Sequence, residues 1–586
     1  MSRLFRLAAR AHTIPPADDG GPRLVPRILL AVVVVLSCGA LVPKAQAPHL
    51  PATRQPLPIQ AGSPGRAEAG SFARGPWVPD EGDGRYRNPV LYADYSDPDA
   101  IRVGDDFYLV SSSFHVVPGI PVLHSRDLVN WRIVGHAVAV LPSPRYDTPQ
   151  HGNGLWAPSL RYHDGSFWVF YGDPDLGIFM VKARNPRGPW SLPVHVKEAR
   201  GWIDPCPLWD EDGKAYLVHA WAKSRAGFNS VLTVNRMSTD GQHILDEGTQ
   251  VFDGHAAHPT IEGPKFYKRG RYYYIFAPAG GVKPGWQTAL RSRHVLGPYE
   301  DRVVLRQGAT SVNGPHQGAW VDTTSGESWF LHFQDRGAYG RVVHLQPMMW
   351  RDDWPVIGQD TDGDGTGEPV PAWSKPRVRA GSTASIPQTS DEFTGPRPAL
   401  QWQWNANPST RWWSLAARPG FLRLFAQRLP EEGANLWSVP NYLGQKFPAP
   451  AFTVTARIDA RSLRDGDAGG LLVMGLDYAY LAVEKAGERL ALVRATCLQA
   501  DQARPETRDG VVEMPSAIVE LRVKVSEGAI CQFSFSHDGT RFQDAGAPFS
   551  ARPGMWIGAR AGLFAVSRAG TRGGGYADVD WFRIRR

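Results

Sequence analysis

Three acidic residues stand in matching settings along the chain: Asp97 in "YSDPDAI", Asp204 in "GWIDPCPLW" and Glu262 in "TIEGPKF". Each stands ten to thirteen residues before the first aromatic of a strand that follows a tight turn. Trp156 in "GLWAPSL" and His316 in "NGPHQGAW" hold the same place before two further stretches of that kind. One Asp-Pro alone reads as an ordinary turn, because proline biases its predecessor toward extended backbone. Five settings in register argue instead for side chains that meet at one site. Three carboxyl groups in a concave, aromatic-lined site suit acid and base work on a neutral, polyhydroxylated substrate. Glycosidic bond cleavage takes one carboxylic acid to protonate the leaving oxygen and one carboxylate to activate water or attack carbon. A third carboxylate near the acid raises its pKa, since two like charges resist ionising together. No HExxH, GxSxG or phosphate loop competes for the assignment.

The elements that must position these residues are the five stretches themselves: "VGDDFYLVSSS" (103–113), "HDGSFWVFYGD" (163–173), "DEDGKAYLVHAW" (210–221), "KRGRYYYIFAPA" (268–279) and "SGESWFLHFQD" (325–335). Their spacing holds about four strands with connections, the size of one propeller blade. Similar turns, "NPRGPW" (185–190) and "HVLGPY" (294–299), follow the second and fourth. Five units predict a five-bladed β-propeller whose innermost strands carry Asp97, Trp156, Asp204, Glu262 and His316 to one end of the central axis.

Composition agrees with an all-β chain. Its 586 residues are too many for one core, so at least two domains are expected. The 42% apolar content, with 21 Trp, 61 Gly and 50 Pro, favours short strands and many turns. A net charge of +7 is scattered, with no basic stripe interleaved with aromatics, which excludes nucleic acid as partner.

The N-terminus carries Arg3, Arg6, Arg10, Arg23 and Arg27, then "ILLAVVVVLSCGALV" (28–42), then Ala45 and Ala47 in a small-x-small pattern, so residues 1–47 read as an export signal. The apolar run is shorter than the roughly 20 residues of a membrane span. "VLSC" also loosely resembles a lipoprotein cleavage site, so the protein is expected to be secreted or periplasmic and to meet a membrane only if lipid-anchored at Cys38. Residues 48–85 read as a Pro/Ala/Gly-rich spacer, 86–370 as the propeller, 371–389 as a linker and 390–586 as a C-terminal antiparallel β-sandwich of short alternating strands. Cys206, Cys497 and Cys531 make neither a disulfide framework nor a zinc site, though Cys497 and Cys531 are candidates to pair. Asp360, Asp362 and Asp364 have the spacing that begins a calcium loop, but Pro371 stands where its bidentate Glu belongs; a solvated acidic turn is the other reading.

The motifs "NPVLYADYSDPDAIRVGDDFYLVSSSF", "GLWAPSLRYHDGSFWVFYG", "GWIDPCPLWDEDGKAYLVHAW", "TIEGPKFYKRGRYYYIFAPAGG" and "YGRVVHLQPMMWRDDWPVIG", in this order, resemble glycoside hydrolase family 43. The likeness implies a five-bladed propeller and an inverting mechanism. Asp97 matches the general base, Glu262 the general acid and Asp204 the modulator of the acid's pKa. His316 looks like the axial histidine near the sugar, and Arg341 like the arginine that reaches substrate hydroxyls; a surface strand arginine is the plain alternative. Phe114 and Trp156 resemble the aromatic walls of the terminal sugar subsite, with core packing as the other reading. The family pattern is broken at "SDPDA", where Asp99 adds a carboxylate two residues from the base. Strand alternation would put it on the same face as Asp97, either acting on the base or sitting at the rim.

The last domain looks like the β-sandwich appended to many family 43 xylosidases. In such sandwiches Asp391 and Asp580 are candidate ligands of a structural calcium, and Trp556 in "GMWIGARAGLF" is a candidate to reach the propeller's mouth. The resemblance implies removal of terminal β-D-xylose or α-L-arabinofuranose from plant polysaccharides or oligosaccharides, with no cofactor required for the chemistry. Action on arabinan or galactan, or a non-catalytic carbohydrate-binding propeller, are the alternatives.

Overall fold

Strands such as Ser166–Asp173 follow turns that require left-handed backbone. Asp164 (φ 47°) and Gly165 (φ 68°) join Trp156–His163 to Ser166–Asp173 through a two-residue loop, with His163 paired to Ser166. Such turns match the right-handed twist of the strands they connect and so lock the hairpin register. The computed structural model describes residues 75–379, 383–429, 435–568 and 574–586, and the expected export signal, Cys38 and the spacer up to residue 74 lie outside them.

Twenty strands form five antiparallel, four-stranded sheets in sequence order, spanning residues 99–138, 156–198, 202–253, 265–305 and 316–357. Each is one blade. The first strands of the blades, Asp99–Val103, Trp156–His163, Trp202–Trp209, Lys265–Arg269 and His316–Asp322, line the axis, and that of the fifth packs on that of the first to close the ring. Beyond the fifth blade, Ala372–Ser374 returns to pair with Arg85–Arg87. Between blades, aromatic side chains such as Phe107, Phe170, Phe276 and Phe330 are fully buried.

The C-terminal part is two eight-stranded sheets. One centres on Arg560–Ser567 and Asp467–Met474, the other on Tyr576–Arg585 and Phe452–Asp459. Leu471, Leu481, Val483 and Leu563 from the first and Leu521, Val523, Phe533 and Phe582 from the second are buried together in one core. This sandwich joins the propeller by main-chain bonds between Val117 and Trp404 in both directions, and Tyr339 Oη donates to the carbonyl of Pro450 at 2.7 Å.

One expectation is corrected here. Cys497 ends Arg489–Cys497 in one sheet and Cys531 lies in Ile530–Ser536 in the other, and both are free, buried thiols, as is Cys206. Each of the two carboxylates expected at a structural calcium, Asp391 and Asp580, has partners within the protein. Asp391 accepts N–H bonds from Phe393 (2.8 Å), Ala399 (3.2 Å) and Trp402 Nε1 (2.9 Å), while Asp580 faces Arg457 at 3.8 Å. Asp360, Asp362 and Asp364 do gather their oxygens, but Arg351 bonds the first and Arg306 the other two, as in a charge-paired surface turn.

Candidate active site

Within two residues of the first position of each inner strand lies a residue in left-handed backbone: Asp97 (φ 53°), Ala157 (37°), Asp204 (57°), Gly263 (58°) and Gln317 (37°). In the second, third and fifth blades this kink coincides with a break in strand register, between Trp156 and Ser159, Ile203 and Cys206, and His316 and Gly318. Non-glycine residues avoid this conformation unless the surrounding structure enforces it, and such strain concentrates at functional sites. Asp97 and Asp204 occupy the kink itself. Trp156, Glu262 and His316 come one residue earlier, an offset that matching the motifs by their turns does not reveal.

Asp97 is 6% exposed and held at both oxygens: Ser112 Oγ donates to Oδ2 at 2.6 Å, and Arg341 Nη1 to Oδ1 at 2.9 Å. Ser112 in turn accepts the N–H of Ala157 at 2.7 Å, tying the kinks of the first two blades together. Both oxygens are thus bonded, one of them to a buried cation.

Asp204 and Glu262 experience the opposite environment. Burial, then the neighbouring charge of Asp97, pushes Asp204 up to about 7, and the N–H of Gly263, 2.8 Å from Oδ2, only partly offsets this. Glu262 is pushed up to about 8, first by burial and then by Asp204, against a lowering by Arg341. The two titrate as a pair, both raised above the usual carboxylate range, and the charge of Asp204 favours the proton on Glu262. A third of the Glu262 side chain still faces the cleft. Covering it with a sugar removes that solvent and strengthens the same effect.

His316 is 1% exposed, and its Nε2 lies 3.6 Å from Glu262 Oε1. Burial, with the charge of Arg341, lowers its pKa to about 3, so the ring is neutral and the contact is not an ion pair. Phe333 packs between this ring (5.2 Å) and the Arg341 guanidinium (4.9 Å). Arg341 is therefore a buried residue of the site, not a surface one.

The aromatic wall runs Phe114, Trp156, Trp556. Phe114 and Trp156 meet edge to face at 6.1 Å, Trp156 and Trp556 at 6.2 Å, and Trp556 lies 5.8 Å from the Arg341 guanidinium. Phe114 is buried, Trp156 half-buried and Trp556 exposed, so the sandwich contributes the outer part of the wall. Trp156 is further fixed by an Nε1 bond to the carbonyl of Gly152 at 2.8 Å.

The kink also removes Asp99 from this site. Left-handed backbone at Asp97 breaks the alternation on which a shared face depended, and Asp99 is fully buried deeper along the axis. There its Oδ2 accepts from the N–H of Leu160 (2.7 Å) and from Arg161 Nη1 (2.8 Å). Sequence reasoning missed Ser112, one of three consecutive serines, and Phe333, one aromatic among many in its strand; neither carried a distinguishing signal.

Comparison with known proteins agrees with this architecture. A family model described as glycosyl hydrolases family 43 matches residues 86–355, and one described as the beta xylosidase C-terminal concanavalin A-like domain matches residues 390–585. A putative beta-xylosidase of Xylanibacter ruminicola is 42% identical over 490 residues, covering 82% of this chain and 86% of its own. A non-reducing end alpha-L-arabinofuranosidase of Bacteroides ovatus is 32% identical, covering 70% and 78%. Among solved structures, a xylan beta-1,4-xylosidase from Bacillus halodurans superposes with a TM-score of 0.75 at 25% identity, over 85% of this chain and all of that one. Identity of that order over most of both chains makes this protein a glycosidase of glycoside hydrolase family 43.

Proposed function

We propose that the protein removes terminal β-D-xylose from xylan-derived chains by single-step inversion, with α-L-arabinofuranose as a second accepted sugar. The observation that carries this reading is the contrast between two carboxyl groups in one site. Asp97 accepts from Ser112 and Arg341 at its two oxygens, whereas Glu262 keeps its proton near neutral pH through burial beside Asp204. Asp97 acts as general base on a water at the anomeric carbon, and Glu262 gives its proton to the departing oxygen. Asp204 keeps that proton in place until it is needed. The wall of Phe114, Trp156 and Trp556 offers ring faces to a sugar's C–H groups, and closure of one side by the sandwich favours action at chain ends. A β-D-xylose and an α-L-arabinofuranose present similar hydroxyl arrangements, and relatives named for each activity support both. The export signal read in residues 1–47 supports a secreted or periplasmic setting.

The test compares leaving groups. Asp97→Asn should cut hydrolysis of xylobiose and of 4-nitrophenyl β-D-xylopyranoside alike, by about 100-fold or more. Glu262→Gln should cut xylobiose hydrolysis by about the same factor but spare the nitrophenyl substrate, whose leaving group needs little protonation. Equal losses on both substrates in Glu262→Gln would remove it from the acid role.

A further inference from the structure

Asp94 lies three residues before Asp97 and is 4% exposed. Its Oδ1 accepts the N–H of Arg341 at 2.9 Å and the hydroxyl of Ser96 at 3.0 Å, and its Oδ2 accepts the N–H of Gly558 at 3.0 Å. Tyr95 donates its N–H to the carbonyl of Arg341 at 3.0 Å. Residues 94–97 thus grip Arg341 at its N–H, its carbonyl and, through Asp97, its guanidinium. Gly558 belongs to the sandwich and follows Trp556 by two residues.

The approach of the two parts here is close enough to demand glycine on both sides. A Cβ on Gly340 (φ 73°) would fall 2.4 Å from the Asp94 carboxyl carbon, and one on Gly558 would fall 2.8 Å from the Gly340 nitrogen. Ala559 adds an N–H bond to the carbonyl of Ala338 at 2.7 Å. Beneath this contact Lys446 and Arg560 stand directly opposite each other on neighbouring sandwich strands, an arrangement that repels, and the Asp94 charge acts favourably on both. A carboxylate offers two acceptor oxygens and no donor, so it can take an N–H from each side at once; an amide would turn an NH2 group toward one of them.

We propose that Asp94 is a positioning residue that couples the sandwich loop to the reacting centre. One oxygen fixes Arg341, and with it Asp97; the other fixes Gly558, and with it Trp556. The inference rests on the proposed function, in which Asp97 and Arg341 serve the hydrolysis.

A double-mutant cycle on xylobiose tests it, with thermal melts to establish folding. Asp94→Asn should lower kcat/KM at least tenfold. Trp556→Ala should lower it threefold or more in the wild-type background but less than twofold in Asp94→Asn, where the loop is already released. A folded Asp94→Asn with wild-type kcat/KM, or a Trp556→Ala factor that is the same in both backgrounds, would overturn the coupling. If Asp94→Asn does not fold, Gly558→Ala decides by the same criteria, since it displaces the loop while leaving the Asp94 bond to Arg341. A wild type without hydrolysis defeats the proposed function instead, which separates the two failures.

Discussion

Arg341 Nη1 donates to Asp97 Oδ1 at 2.9 Å, and both side chains are less than a tenth exposed. The same guanidinium lowers the pKa of Glu262. One cation therefore binds the base and limits how far the acid rises, and its removal acts on both. Arg341→Gln should lower kcat/KM by about 100-fold or more and shift its alkaline limb to higher pH, because Glu262 loses the charge that favoured its ionised form. An unmoved limb in the pH profile would detach Arg341 from the acid.

Asp204→Asn should move the same limb the other way. Asp204 raises Glu262 by like-charge repulsion, so an uncharged side chain there lets the acid ionise at lower pH. The kcat/KM profile should narrow from its alkaline side, and an unmoved alkaline limb would detach Asp204 from the acid.

Glu262→Gln should stabilise the fold. The folded-state pKa of about 8 stands above the ordinary 4.5, so the folded protein holds this proton more tightly than the unfolded chain does. Wild-type stability therefore falls as pH rises from about 4.5 to about 8, while the glutamine variant escapes that loss. The gain in Tm over wild type should be larger at pH 8 than at pH 5; an equal gain at both would contradict the raised pKa.

Asp99→Asn should act on stability alone. Its partner Arg161 would be left as an uncompensated buried charge, a change that costs about 3–5 kcal/mol. Enzyme that remains folded should keep the wild-type pH profile of kcat/KM, and a shifted profile would return Asp99 to the site.

Much of this arrangement is legible in the sequence because propeller blades repeat. Matched turns and aromatic strands locate Asp97, Trp156, Asp204, Glu262 and His316 at equivalent ends of five inner strands without any long-range contact being known. What alternation cannot express is backbone handedness. The left-handed kink at Asp97 turns Asp99 away from the site, and kinks elsewhere shift Glu262, Trp156 and His316 by one residue. Residues such as Ser112 and Asp94 matter through partners 15 to 464 positions away, which no local pattern encodes. Cys497 and Cys531 looked suited to pair until the topology put them in different sheets.

The central claim is inversion by the Asp97 and Glu262 pair. Proton NMR of the first minutes of xylobiose hydrolysis, before mutarotation mixes the anomers, tests it most directly. The released non-reducing xylose should appear first as the α-anomer. Early accumulation of the β-anomer would mean retention, a covalent intermediate, and a nucleophile where this account has a base.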